Sequence, residues 1–249
     1  MRRTLLSIWA WLTLGIIIIL WTPLVFLVWI TTTPFDKGRY ATGYVFRRLC
    51  VLHQYLNPLW TFHTSGDLPA DKRHPYVMVS NHESFADMLL ISHLKIEMKW
   101  MSKESLLKIP LVGWMMRMAG DISLVRGDRA SGSAALEQCK VWLQRRVSVM
   151  IFPEGTRSAT GELRAFKDGA FRLAIETGTP ILPLVVHGTR TALMKHDWRM
   201  GDADAVVRVL PPVPVDGLTE ADIPMLREKV RSLIAAESAV MHTANQRPE

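Results

Sequence analysis

Residues 4–30 carry no charged side chain and include the run Gly15-Ile16-Ile17-Ile18-Ile19-Leu20. About 20 apolar residues in a helix cross the hydrocarbon of a bilayer, so a membrane-anchoring helix is expected over 4–30. Pro23 marks a point where that helix would break, because proline lacks the N–H and crowds the preceding turn. The stretch 40–60 sets Val45, Phe46, Leu49, Val51, Leu52 and Leu56 against Arg47 and Arg48. It reads as an amphipathic helix lying at a membrane surface. After the turn-like Ser65-Gly66-Asp67-Leu68-Pro69 the pattern changes. Short β-prone runs at 76–80, 122–126, 148–152, Ile181–His187 and 205–210 alternate with helical patterns at 84–94, 131–145 and 168–177. Residues 224–241 put Leu226, Val230, Leu233 and Ile234 on one helix face. Alternation of this kind predicts an α/β layered domain around a largely buried sheet. The expected organisation is an anchor over 1–60 and a soluble domain over 61–249, with no internal repeat or low-complexity linker.

Composition narrows the class. A chain of 249 residues has room for one ordinary domain plus an extra element. At 49% hydrophobic and 21% charged it is neither a disordered chain nor a multi-span transporter. Its two cysteines, Cys50 and Cys139, exclude a disulfide framework and any multi-cysteine metal or iron–sulfur site; reduced thiols on the cytoplasmic side are expected. The net charge is +7, and its placement matters more than its size. Residues 1–63 hold Arg2, Arg3, Lys37, Arg39, Arg47 and Arg48 against Asp36 alone, and the rest of the chain is near balance. A nucleic-acid binder spreads its basic residues over the folded domain. Here they flank the most apolar segment, which points to anionic lipid headgroups and not to nucleic acid. Trp9, Trp11, Trp21 and Trp29 lie towards the ends of that segment, where indole rings favour the headgroup layer. A cleaved signal peptide fits Arg2 and Arg3 but not the length of the apolar stretch or the missing small-residue cleavage site. Basic residues are more numerous after the segment than before it, which favours a cytoplasmic domain. Spanning the bilayer and dipping into one leaflet both remain open.

Two motifs carry candidate chemistry. The first, Ser80-Asn81-His82-Glu83-Ser84-Phe85-Ala86-Asp87, follows an apolar strand pattern. Five steps along an ideal helix put two side chains on different faces. His82 and Asp87 therefore meet only if His82 sits in the strand-to-helix loop and Asp87 about one turn into the helix. Asp87 would then hold one imidazole nitrogen and leave the other as a base. The plainer alternative is a loop histidine with Asn81 and Ser84 as helix caps. Glu83 follows His82, but Ala86 stands where H-E-x-x-H needs histidine, so no metal is expected. The second motif, Ile151-Phe152-Pro153-Glu154-Gly155-Thr156-Arg157-Ser158, also ends a strand pattern. Pro-Glu-Gly favours a tight turn, and in open α/β sheets ligands bind beyond the carboxyl ends of strands. Arg157 offers a planar fork suited to phosphate; an ordinary polar loop is the other reading.

Taken together, Asn81-His82 with Asp87, followed by Phe152-Pro153-Glu154-Gly155-Thr156-Arg157-Ser158, resembles the glycerolipid acyltransferase family, most nearly the bacterial 1-acyl-sn-glycerol-3-phosphate acyltransferases. Two further blocks fit: residues 103–114 with Asp121-Ile122-Ser123-Leu124-Val125-Arg126, and Ile181-Leu182-Pro183-Leu184-Val185-Val186. The resemblance covers roughly residues 60–215 and implies a mixed sheet flanked by helices. It implies transfer of an acyl chain from acyl-CoA or acyl carrier protein, as co-substrates with no cofactor, to the sn-2 hydroxyl of lysophosphatidate, giving phosphatidic acid. By resemblance His82 deprotonates that hydroxyl and Asp87 orients His82. Arg157, with Arg126 and Lys103 as further candidates, binds the phosphate, and Glu154, Gly155 and Thr156 shape the pocket. For Lys103 a solvated surface lysine is an equal reading. The bacterial inner membrane, with the domain on its cytoplasmic face, is the implied location. The sequence has no G-x-S-x-G, and neither cysteine lies near the motifs, so direct transfer without an acyl-enzyme is the simpler chemistry. Trp100, Met101, Trp114, Met115, Met116 and Met118 either line an acyl tunnel or simply pack in the core. Another acceptor (glycerol-3-phosphate, another lysophospholipid or a lyso-aminolipid), a thioesterase and a non-catalytic lipid-binding scaffold are the competing functions.

Overall fold

A computed structural model describes residues 1–158, 161–194 and 197–244, so the last five residues of the domain expected over 61–249 lie outside it. The layered α/β domain is present. Its strands are β1 (Trp60–Ser65), β2 (Val77–Ser80), β3 (Met98–Lys103), β4 (Ile122–Leu124), β5 (Ser148–Ile151), β6 (Ile181–His187) and β7 (Ala203–Val209). They form one sheet in the order β1-β7-β6-β2-β5-β3-β4. Strands β6, β2, β5, β3 and β4 are parallel to one another, while β7 pairs antiparallel with β6 and carries β1 parallel to itself.

The central strands are buried on both faces, which is why they read as unbroken apolar runs. Side chains alternate between two cores at the strand period of two. Val77 and Val79 of β2 face one core with Val149 and Ile151 of β5, whereas Met78 and Met150 face the other with Leu182 and Leu184 of β6. The first core is closed by α6 (Arg129–Gln144), α7 (Gly169–Thr177) and α8 (Ile223–Ala244). Leu226, Val230 and Ile234 of α8 are almost fully buried there, while Leu233 stays exposed. The second is covered by α3 (Asp87–Ile91) and by the N-terminal helices.

The N-terminus is a pair of packed helices, α1 (Arg2–Thr32) and α2 (Tyr40–Leu56). Pro23 lies within α1 without ending it. Ile17 and Val25 of α1 meet Phe46 and Leu49 of α2 and Met115 and Met116 of α5 (Val112–Ala119) in a third apolar cluster. The opposite side of α1 presents Leu5, Leu12, Ile16, Ile19, Leu20, Leu27 and Ile30 to the outside.

Trp9 and Trp11 are exposed, yet their N–H groups are taken up by the protein. Trp9, Trp11 and Trp21 donate their indole N–H groups to the carbonyls of Leu56 (2.9 Å), Trp198 (2.8 Å) and Val45 (2.7 Å). Both ends of α1 are tied to the domain. Arg3 Nε donates to the Met200 carbonyl at 3.0 Å. Beyond the other end, Lys37 accepts from Arg145 at 3.2 Å and Arg39 donates to the Arg117 carbonyl at 2.7 Å.

Basic residues of α2 and of β3 are also spent inside the protein. Arg47 is buried and forms a two-pronged pair with Asp121, one prong at 3.1 Å. Burial opposes its charge, but Asp121 and Glu97 together outweigh that and raise its pKa. Lys99 in β3 is fully buried and paired with Glu97 at 3.0 Å. Gly43 of α2 passes over this pair so closely that a Cβ there would stand 1.8 Å from Glu97 Oε1. Strand β3 escapes the apolar pattern because its lysine is an interior one.

Candidate active site

Five parallel strands end on the same edge, and the segments leaving them bring the motifs together. Reading across from β6, that edge carries Thr189 after β6, His82 after β2, Glu154 and Arg157 after β5, Lys103 at the end of β3 and Arg126 after β4. Two motifs separated by some 70 residues are neighbours because β2 and β5 pair directly, Val79 opposite Ile151.

His82 lies in the loop after β2, and Asp87 is the first residue of α3. His82 Nδ1 is 2.7 Å from Asp87 Oδ2. The same carboxylate oxygen accepts the backbone N–H groups of Glu83 (2.7 Å) and Ser84 (3.0 Å), and Thr189 donates its hydroxyl to Oδ1. A carboxylate ringed by donors is best matched by an Nδ1–H on the imidazole, which leaves Nε2 with its lone pair. The five-residue spacing works because the chain turns between the two residues. Asn81 is not a helix cap: its amide pairs with Val186 of β6, accepting from N–H and donating to C=O, both at 2.8 Å. The ring of His82 stacks on Phe152, centroids 4.0 Å apart and planes 13° apart.

Glu154 is buried and fully engaged. Its Oε1 accepts the backbone N–H of His82 at 2.8 Å and its Oε2 that of Arg164 at 3.2 Å. Burial pushes its pKa up and these two bonds pull it back. It braces the first motif against the second, and Ser158 N–H completes the joint by donating to the His82 carbonyl at 2.9 Å. Gly155 has φ +72°, and a Cβ there would meet Lys167 Nζ at 2.9 Å, so glycine suits both the turn and the close approach. Thr156 and Lys103 are exposed and Arg157 half-buried. Arg126 has its pKa lowered by burial and by the charge of Arg157, so the structure brings these two guanidinium groups within electrostatic reach.

The chain matches the acyltransferase family model over residues 60–187, half of its length. The chain belongs to the acyltransferase family. Its relatives include the human 1-acyl-sn-glycerol-3-phosphate acyltransferase alpha, 36% identical over 78% of this chain and 70% of that protein. A 1-acyl-sn-glycerol-3-phosphate acyltransferase of Chlamydomonas reinhardtii is 38% identical over 58% of this chain, and the match spans 44% of that relative's length. The crystal structure of the 1-acyl-sn-glycerophosphate acyltransferase PlsC from Thermotoga maritima superposes over 100% of this chain and 98% of its own, with a TM-score of 0.80 at 24% identity. That likeness establishes the fold.

In this acyltransferase-family chain an apolar cavity of about 420 Å³ lies against α3, the short helix that Asp87 begins. Phe85, Met88 and Leu89 form its wall nearest the motif, Trp100, Met115 and Met116 another, and Trp11, Leu14 and Ile18 of α1 close the side towards the N-terminus. Of the six residues weighed for a tunnel, Trp100, Met115 and Met116 line it. Met101 packs in the opposite core, Met118 packs against the α1–α2–α5 cluster, and Trp114 is 54% exposed. A hollow of about 450 Å³ lined by His74, Lys140 and Glu176 lies at the other end of the strands and holds none of the motif residues. Burial pushes the Cys139 thiol up to about 12 and raises that of Cys50, which leaves neither as a ready thiolate. Thr189 and Phe152 complete the site. Phe152 stands inside the second motif, but nothing local marks Thr189, which reaches Asp87 across 102 positions of sequence.

Proposed function

We propose that this protein transfers a fatty acyl chain from acyl-CoA or acyl carrier protein to the sn-2 hydroxyl of 1-acyl-sn-glycerol-3-phosphate. The observation that carries the reading is a histidine oriented by a carboxylate that begins α3, with an apolar cavity walled by α3 on one side and by α1 on another. His82 Nε2 takes the proton of the acceptor hydroxyl as the oxygen attacks the thioester carbonyl. The tetrahedral intermediate collapses, expels the thiolate, and the imidazolium returns the proton to it. Asp87, fixed by Glu83, Ser84 and Thr189, holds the imidazole in the tautomer that makes this possible. Arg157 and Arg126 supply the positive charge for the acceptor's phosphate, and the cavity takes an acyl chain. The acceptor names of the relatives support the same substrate class.

The anchor lies in the plane of one leaflet. A helix of 31 residues is about 46 Å long, and a bilayer-spanning course would carry its two ends to opposite sides of a hydrocarbon layer about 30 Å thick. Here both ends are bonded to the same domain. Its outward apolar face then rests among the acyl chains. Withdrawing an acyl chain from a membrane costs about 0.8 kcal/mol per methylene, and a cavity walled by the anchor avoids that step. Acyl-CoA and acyl carrier protein are cytosolic donors, which puts the domain on the cytoplasmic face of the bacterial inner membrane.

The test is thiol release from a long-chain acyl-CoA by the full chain in mixed micelles, with lysophosphatidate, glycerol-3-phosphate or no acceptor. Release that requires lysophosphatidate and falls about 10²–10⁴-fold in His82→Ala, with the folded state intact, is the expected result. Equal release without acceptor means a thioesterase, and unchanged turnover in His82→Ala ends the general-base assignment.

A further inference from the structure

The spacing after His82 lacks the histidine of an H-E-x-x-H pair, but ligands need not come from one helix. Glu83, His187 and His242 converge from three elements: the loop before α3, the end of β6 and the last turn of α8. One ligand atom from each lies within 4.8 Å of the others. The imidazole rings of His187 and His242 stand nearly perpendicular, 81° apart with centroids at 4.3 Å. His187 is only 8% exposed, and its Nδ1 is buried with no hydrogen-bond partner. A buried, unpartnered imidazole nitrogen costs free energy unless something binds it. We propose that Glu83, His187 and His242 form a binding site for a divalent transition-metal ion, with zinc the best-matched member.

The donor set decides the class. Two imidazoles and a carboxylate suit Zn²⁺ and its neighbours, whereas Ca²⁺ and Mg²⁺ require mostly oxygen. In a tetrahedral site with bonds of about 2.0–2.1 Å, ligand atoms stand roughly 3.3 Å apart. The cluster needs to close by about 1.5 Å at its widest. His242 is exposed, so rotation of its side chain can supply that movement. Three protein ligands leave the fourth position for water, an open arrangement. The ion would pin the end of α8 to the loop that bears His82, because Glu83 is the next residue in the chain and its Oε2 lies 3.4 Å from the same Thr189 hydroxyl that serves Asp87.

The experiment uses the full chain in detergent micelles after exhaustive chelation, titrated with Zn²⁺ against a chromogenic chelator. Binding of Co²⁺ is followed separately by its visible d–d absorption. One zinc per chain is expected, with affinity reduced at least ~10-fold in His242→Ala and in His187→Asn. Zinc should also raise the melting temperature of the parent chain and not of His242→Ala. Position 242 is on the surface, so that variant folds like the parent. The proposal falls if zinc does not saturate at one per chain, or if both variants bind it as tightly as the parent.

Discussion

At the motif edge, the Asp87 carboxylate is held by Glu83 and Ser84, within four residues of it, and by one distant hydroxyl from Thr189. Across the seam between the N-terminal helices and the sheet, the Asp121 carboxylate is held by Arg47, 74 positions away, and by the Trp100 N–H at 3.1 Å. Both carboxylates are buried. The first is satisfied mainly by backbone N–H groups that a tight local turn presents, joined by a hydroxyl and an imidazole. The second needs a full guanidinium, and Lys99 and Glu97 lie buried nearby as a second ion pair. Local satisfaction leaves a partner nitrogen available for chemistry, whereas long-range pairing fastens one element to another.

The comparison can be broken most severely at the seam. Asp121→Asn leaves Arg47 charged and buried without its counterion, which typically costs about 3–5 kcal/mol. A large drop in melting temperature is expected, and Arg47→Met with Asp121→Leu in the same chain should restore most of it. If Asp121→Asn melts like the parent, the seam is not held by charge.

The seam also has a neutral buried base. His53 of α2 is fully buried without hydrogen-bond partners, and burial lowers its pKa from 6.5 to about 4. The unfolded chain binds a proton near pH 6.5 that the folded chain refuses until about pH 4. Its contribution is therefore complete above pH 6.5 and is lost as the pH falls to 4, a change of about 3 kcal/mol. His53→Leu should flatten that part of the pH–stability curve; an unaltered slope assigns the acid sensitivity to other groups.

At the motif edge the expected losses are smaller and fall on turnover. Thr189→Val removes one charge-assisted hydrogen bond from Asp87, worth about 1.5–3 kcal/mol. We expect kcat to fall by about 10–100-fold, with KM little changed and Thr189→Ser restoring it. Equal effects on kcat and on melting temperature would make Thr189 a structural tie only. The smallest change is one of preference. Met115→Phe narrows the cavity, and each methylene it displaces should alter discrimination between acyl chains by about fourfold, from about 0.8 kcal/mol per CH₂. Unchanged chain preference there and at Met116 would mean that the acyl chain lies elsewhere.

The chain alone determined the alternation that makes the layered domain, the apolar first helix and the two motif loops, because each is written in neighbouring residues. Runs such as Val77-Met78-Val79 and Ser148-Val149-Met150-Ile151 are buried on both faces and so are visible as runs. Pro153-Glu154-Gly155 marks its turn by the backbone needs of proline and glycine. Strands β1 and β3 were not legible. Trp60–Ser65 continues directly from an amphipathic helix, and Met98–Lys103 hides a strand behind a lysine that is neutralised only by a partner brought close in the fold.

The same physics separates the roles of charged residues. Whether an arginine meets a phosphate, a lipid headgroup or a buried aspartate depends on what stands within a few ångströms of it, and composition is blind to that. Arg47 looked like part of a basic surface and became an interior ion pair; Glu154 was expected to shape the substrate pocket, and its two oxygens accept backbone N–H groups from both motif regions. Thr189, the cavity and the convergence of Glu83 with two histidines are likewise decisions of the tertiary structure. Local sequence sets backbone conformation and the side of an element that turns inwards, but only the packing of strands β6, β2 and β5 sets which distant side chains share an edge.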